Sequence, residues 1–288
     1  MIAVTFPPLL ASLHALAFYV AAGITSFGWA LCALAGWDAR PWLPLWFCGA
    51  LLVYNVDRLR RDPADALNVP RRTATIERLR PVCVGLASIA AGVLIAVPLL
   101  HRDWVAFALV LAGTVGCLSY SIPIFGVQLK SVPLLKTFFA PTVLLCAIVF
   151  PPWIREGAPA DVAPACNALA WAWCFLEFNM IVCDLRDIEG DRRCGVVSLP
   201  VLLGSKRTRF VLAALIFVTT LLASANAFAS DRANHDCWLL LGVLGSLVLT
   251  MIFVQSRTRC PERYYEWVVE GMMFLPAFVL AMSPQYRG

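Results

Sequence analysis

Three aspartates, Asp184, Asp187 and Asp191, fall in the stretch CDLRDIEGDRRCG (Cys183 to Gly195), directly behind the apolar run LAWAWCFLEFNMIV. If the helix of the apolar run continues into this stretch, carboxylates at i, i+3 and i+7 share one face. Three like charges on one stripe repel each other, and the cost grows near lipid. They call for a cation. A ligand set made only of oxygen selects Mg2+ or Ca2+ over zinc, and Mg2+ binds through one or two carboxylates together with substrate phosphates. Arg186, Arg192 and Arg193 supply counter-charge that suits phosphate oxygens. The plain alternative is a set of solvated charges where a membrane helix meets water.

A second acidic helix end weighs against that alternative. YNVDRLRRDPAD (Tyr54 to Asp65) also follows an apolar run and carries Asp57, Asp62 and Asp65. Both stretches open long, charged connections, Asp57 to Arg80 and Asp184 to Arg209.

The elements that must position these residues are membrane helices. The 288-residue chain is 60% hydrophobic and only 14% charged, too apolar for an ordinary soluble domain. Apolar windows near the 20 residues needed to cross a bilayer predict nine spans: 9–35, 41–56, 81–100, 104–124, 134–154, 164–183, 210–229, 237–255 and 265–282. They do not alternate at period two, and lipid admits only helices or closed barrels. The expected fold is all-α, a polytopic bundle formed as one domain over residues 1–288.

Charge sets the orientation. Most of the 23 Lys and Arg lie in the second, fourth, sixth and eighth connections, whereas the others hold only Arg40, Arg102, Arg155 and Arg232. The basic connections should face the cytoplasm, with the N-terminus inside and both acidic ends on the cytoplasmic side. The net charge of +5 is then topological and needs no nucleic acid or acidic partner. The first apolar segment lacks a basic leader region and is expected to be a helix and not a cleaved signal. The 11 cysteines sit singly with no CxxC pair, as core residues. His14, His101 and His235 are scattered, which argues against a histidine-ligated metal.

From Asp184 to Gly204, DLRDIEGDRRCGVVSLPVLLG resembles the UbiA superfamily of intramembrane prenyltransferases in its aspartates, its Gly-Asp pair, Gly195 and the Ser-Leu-Pro ahead of Leu-Leu-Gly. YSIPIFGVQLKSVPLLK (Tyr120 to Lys136) is similar to that family's cytoplasmic Lys-x-x-Pro-x-x-Lys segment. The resemblance implies two aspartate motifs holding Mg2+ against an isoprenoid diphosphate. The second maps onto Asp187 and Asp191, with Asp184 beside them. For the first, setting Asp57-Arg58 on the family's Asp-Arg puts the pattern's asparagine on Val53 and its next aspartate on Arg61, so Asn55, Asp62 and Asp65 fall out of register. Which of Asp57, Asp62 and Asp65 completes that site stays open. Asn55, Arg58, Arg71, Arg72 and Arg186 are substrate-binding candidates, and Lys130 and Lys136 would neutralise diphosphate oxygens.

The reaction implied is Mg2+-dependent transfer of a prenyl group to a lipophilic acceptor, aromatic by expectation, in a central apolar cavity that delays capture of an allyl cation by water. A multi-pass protein of a bacterial inner membrane, acting at its cytoplasmic side, is expected. Glu177, inside the sixth span, and Asn179 are candidates for holding the acceptor, since an intramembrane ionisable residue is functional by default; a helix–helix hydrogen bond is the alternative. A terpene cyclase on the same fold, a non-catalytic prenyl-lipid-binding homologue and a cation transporter are the competing readings.

Overall fold

The computed structural model describes residues 8–122, 132, 134–159, 161–230, 232–258, 260–283 and 286, and among these only helices form. In chain order they are α1 (Pro8–Ala15), α2 (Phe18–Ala35), α3 (Leu43–Leu59), α4 (Pro63–Asn68), α5 (Pro70–Arg78), α6 (Arg80–Leu100), α7 (Trp104–Ser121), α8 (Leu135–Glu156), α9 (Val162–Arg193), α10 (Leu199–Ala229) and α11 (Arg232–Gln255). A last rod, Glu262–Met282, is assembled from α12 (Glu262–Tyr264), a π turn over Tyr265–Val269, a 3-10 turn over Glu270–Phe274 and α13 (Leu275–Met282).

The long helices close into a ring. α2 packs on α3, α3 on α6, α6 on α7, α7 on α8, α8 on α9, α9 on α10, α10 on α11, α11 on α13 and α13 back on α2. At its centre the rings of Phe27, Trp171 and Phe175 stack, with Trp171 and Phe175 5.2 Å apart and all three fully buried. Large apolar side chains also cover the outside, including Ile89, Phe210, Phe217 and Phe228. Such an exterior suits lipid. Seven helices among the described residues are long and apolar enough to cross a bilayer. The protein is an all-α, multi-pass membrane protein.

The first predicted span, 9–35, is broken in two. Ala17 takes a left-handed conformation (φ 65°) and ends α1 before α2 begins. The break leaves carbonyls without helical partners, and α3 supplies donors: Asn55 Nδ2 to Leu16 O (3.1 Å), and Arg58 Nη1 to His14 O (2.8 Å) and Ala15 O (2.9 Å). By contrast α9 runs unbroken from the membrane core through the aspartates, as the carboxylate spacing requires. It ends at Gly195, whose φ of 74° is the left-handed cap that glycine adopts without steric cost.

Candidate active site

Asp184 and Asp191 sit on α9 facing the start of α8. Leu134 (φ 63°) turns the chain into α8, and its N–H is held by Val197 O at 3.0 Å, so Lys136 and Thr137 are delivered to these carboxylates. Lys136 Nζ lies 3.1 Å from Asp184 Oδ1 and 2.6 Å from Asp191 Oδ2. Thr137 Oγ1 donates to Asp184 Oδ2 (3.1 Å) and accepts the Leu199 N–H (3.2 Å), tying α8, α9 and α10 together. Asp184, Asp191 and Thr137 are almost wholly buried.

Asp187 belongs to a different cluster. It receives both Nε (2.7 Å) and Nη2 (3.0 Å) of Arg186, whose guanidinium lies over the Tyr265 ring at 5.1 Å. Arg186 Nη1 is buried and has no hydrogen-bond partner among the described residues. A clamped guanidinium with one donor left over is suited to an anionic oxygen.

The first acidic stretch owes its irregular register to local structure. Arg61, in the left-handed region (φ 57°), ends α3; Asp62 then caps α4, its carboxylate accepting the Ala64 N–H at 2.9 Å, and Pro63 occupies the first helical position. One turn later Asp65 faces Arg72, 3.8 Å from Nη2. The Asp65 side chain is 35% exposed yet set deep among protein atoms. That desolvation pushes its carboxyl above the ordinary carboxylate range; Arg72 pulls it back, while the charges of Asp57 and Asp187 add to the rise. Asp57, Asp65 and Asp187 therefore share one electrostatic neighbourhood. Asp62 serves the backbone at the helix start.

The seam between the two stretches is close. α4 packs on α9, and Asn68 Oδ1 accepts the Gly190 N–H at 3.0 Å. A Cβ at position 190 would collide with the Asn68 carboxamide, so only glycine permits this approach. Glu262 secures the other side of the loop: its carboxylate accepts the N–H groups of Arg71 (3.2 Å) and Arg72 (3.3 Å) at the start of α5.

Asp57 stands at the wall of a cavity of about 230 Å3 whose remaining lining is apolar or aromatic, including Val53, Tyr54, Phe139, Leu144, Leu176 and Met273. A smaller space of about 90 Å3 shares Val53, Tyr54, Cys117 and Leu144 with it and reaches inward past Trp46 and Ile148. One carboxylate, Asp57, thus borders an apolar chamber, an arrangement matched to an amphiphile with a charged head and a greasy tail.

The predicted residues divide into groups. Asp65 pairs with Arg72 and Asp187 with Arg186, and the charges of Asp57, Arg186 and Asp187 are felt at Asp65; Lys136, Asp184 and Asp191 form a second cluster. Asn55 and Arg58 are committed to the α1 carbonyls, and Asn179 Nδ2 donates to Val269 O at 2.7 Å, pinning α9 to the last rod. Glu177, 1% exposed, has no hydrogen-bond partner for either carboxylate oxygen among the described residues. Lys130 and most of the Tyr120 to Lys136 block lie outside the described residues. Thr137, Asn68, Glu262 and His14 carry weight that the sequence did not signal. His14 Nε2 lies 2.9 Å from Glu270 Oε2, docking α1 on the last rod. The nearest signals were Pro70, which marks a helix start needing a cap, and the lone Gly190 inside a helix.

Among the described residues no group of three or more His, Cys, Asp or Glu side chains converges on one metal position. The donor chemistry nevertheless fits Mg2+: the acidic groups that share the neighbourhood of Asp65 are oxygen ligands only, beside cationic groups able to take the phosphate oxygens that complete such a shell.

Known proteins share the sequence pattern and the fold. The chain is similar to a digeranylgeranylglyceryl phosphate synthase from Natronomonas pharaonis, 27% identical over 165 residues, which covers 57% of this chain and 56% of that protein. The match therefore spans just over half of the relative's length. In three dimensions the fold resembles a UbiA homolog from Archaeoglobus fulgidus solved with GPP and Mg2+ (TM-score 0.58, 16% identity, 93% of this chain and 98% of that one). The same homolog solved with DMAPP and Mg2+ matches at a TM-score of 0.57, 16% identity, over 94% and 99% of the two chains. The UbiA prenyltransferase family matches residues 62–275, well over half of the sequence, and the chain belongs to that family.

Proposed function

We propose that this protein is a Mg2+-dependent intramembrane prenyltransferase that moves the prenyl group of an isoprenoid diphosphate onto a lipophilic acceptor. The observation that carries the proposal is the pairing of Asp65 with Arg72 and of Asp187 with Arg186 across packed α4 and α9, with Asp57 on the wall of an apolar chamber. The relatives solved with GPP or DMAPP and Mg2+ support the choice of donor.

Asp57, Asp65 and Asp187 would hold the metal, with Asp184 and Asp191 as the adjoining carboxylates; the bound ion supplies charge that stabilises a departing diphosphate. Arg186 Nη1 and Arg72 Nε, both buried donors without partners among the described residues, take diphosphate oxygens. Lys136 holds Asp184 and Asp191 in place, and Arg71 adds positive charge on the loop that carries Asp65. The chamber between Val53, Tyr54, Leu176 and Met273 receives the prenyl chain and keeps water from the allylic carbon. Glu177, a buried carboxylate with no hydrogen-bond partner among the described residues and one turn of α9 short of the chamber-lining Met180, would receive the proton an acceptor loses on alkylation. In this reading the membrane is crossed nine times, with the N-terminus and the site at the cytoplasmic face.

The test is a panel of prenyl diphosphates offered to the purified protein with and without Mg2+ and with candidate lipid acceptors, product mass being the readout. Mg2+-dependent diphosphate release and a prenylated acceptor are expected, both lost in Asp187→Ala. Release that is unaffected by Asp187→Ala and Asp65→Ala overturns the proposal.

A further inference from the structure

A second cavity, of about 380 Å3, lies at the opposite end of the bundle from the aspartates. It is framed by the C-terminal ends of α2, α8 and α10 and the N-terminal ends of α9 and α11. On α9, Cys166 in its wall and Asp184 in the acidic site are separated by roughly 27 Å of helix at about 1.5 Å per residue. The cavity shares no lining residue with the chamber beside Asp57. Between the two lies the stack of Phe27, Trp171 and Phe175, against which Trp238 sets its ring edge-on, 5.4 Å from Trp171.

Leu31, Leu34, Trp37, Val149, Trp153 and Leu169 make the walls apolar. Against them stands Asn226, 1% exposed, whose side-chain oxygen and nitrogen both lack a hydrogen-bond partner among the described residues. A buried carboxamide left unsatisfied on both atoms is costly, and such groups mark places where something else binds. The volume lies within the range of small-molecule sites, about 300–1,000 Å3. A carboxamide both donates and accepts hydrogen bonds but carries no charge, and exposed Asp161 at the rim disfavours an anion.

We propose that this cavity binds a neutral, lipid-soluble alcohol: its hydroxyl oxygen accepts from Asn226 Nδ2, its hydroxyl proton goes to Oδ1, and its apolar body lies against the tryptophans. The site is distinct from the diphosphate site and does not depend on the prenyl-transfer reading. It is too far from the aspartates to hold the acceptor during reaction.

Trp37, Trp153 and Trp238 line the cavity and report on it. A brominated long-chain alcohol added to the purified full-length protein in detergent should quench tryptophan fluorescence saturably, whereas the matching bromoalkane and brominated carboxylate give only the linear quenching of partition into the micelle. Asn226→Leu should weaken the alcohol about tenfold, the value of one lost hydrogen-bonding partner, and leave Mg2+-dependent diphosphate release unchanged. Ala165→Phe fills the space from the α9 wall with Asn226 intact and should abolish the saturable phase, which decides the matter if the Asn226 variant misfolds. Linear quenching by the alcohol, equal saturation by the alkane, or a saturable phase untouched by Ala165→Phe overturns the proposal and leaves Asn226 to water.

Discussion

The seam between the two acidic stretches rests on one missing methyl group. Gly190→Ala places a Cβ against the Asn68 carboxamide and breaks the 3.0 Å hydrogen bond from the Gly190 N–H. Overpacking of this kind costs about 1–3 kcal/mol, and the lost hydrogen bond about 1 kcal/mol more. If the fold absorbs the strain, the variant melts earlier by an amount equivalent to about 2–4 kcal/mol. If α4 instead moves aside, Asp65 shifts relative to Asp187, and a displacement on the order of 1 Å costs about 100-fold in turnover. The assay is Mg2+-dependent diphosphate release and thermal unfolding of Gly190→Ala, Asn68→Ala and the double variant. Asn68→Ala alone loses only the hydrogen bond and should be the milder lesion. The double variant, with room restored, should return close to Asn68→Ala, a coupling of about 2–4 kcal/mol between touching residues. A double variant as impaired as the sum of its parts would refute the steric account, and a fully active Gly190→Ala would refute the importance of the seam.

Removing the Lys136 ammonium by Lys136→Met strands Asp184 and Asp191 without their cation and should destabilise the protein by about 3–5 kcal/mol; Asp191→Asn added to it should recover part of the melting temperature. Asp62→Ala should cost about 1 kcal/mol of stability as a lost helix cap with near-normal turnover, whereas Asp65→Asn should abolish the Mg2+ response; the reverse pattern in the release assay would move the metal ligand to Asp62. Arg58→Met should lower the melting temperature by undocking α1 and shift the KM for diphosphate little, and a large KM effect without destabilisation would make Arg58 a substrate contact. Because burial raises the Asp65 pKa, protons compete with the metal at a pH above the ordinary carboxylate range. Mg2+ affinity should fall as pH drops through that raised value, while stability without metal rises over the same interval, since the folded state then binds the proton more tightly than the unfolded chain. Titration of Mg2+ against pH in wild type and Asp65→Asn checks this, the variant losing the dependence.

Some of this protein is legible in its residues alone. Apolar runs of membrane length fix helices as the only elements, because lipid satisfies no backbone group. The spacing of Asp184, Asp187 and Asp191 is meaningful only on a continuous helix, and α9 is continuous through all three. Their division of labour is not local: Asp187 pairs with its own neighbour Arg186, while Asp184 and Asp191 turn to Lys136 on another helix. The irregular Tyr54 to Asp65 stretch likewise needed the fold. Two aspartates three residues apart, Asp62 and Asp65, have the same chemistry, and only the left-handed turn at Arg61 and the position of Arg72 give one to a helix cap and the other to the site. Asn55 and Arg58 are polar residues on an apolar helix in either view, but their partners are carbonyls freed by a break at Ala17, about forty residues away in the chain. Composition and periodicity report what each segment can bury. Which charge meets which depends on contacts between distant segments, and those are set when the ring of helices closes.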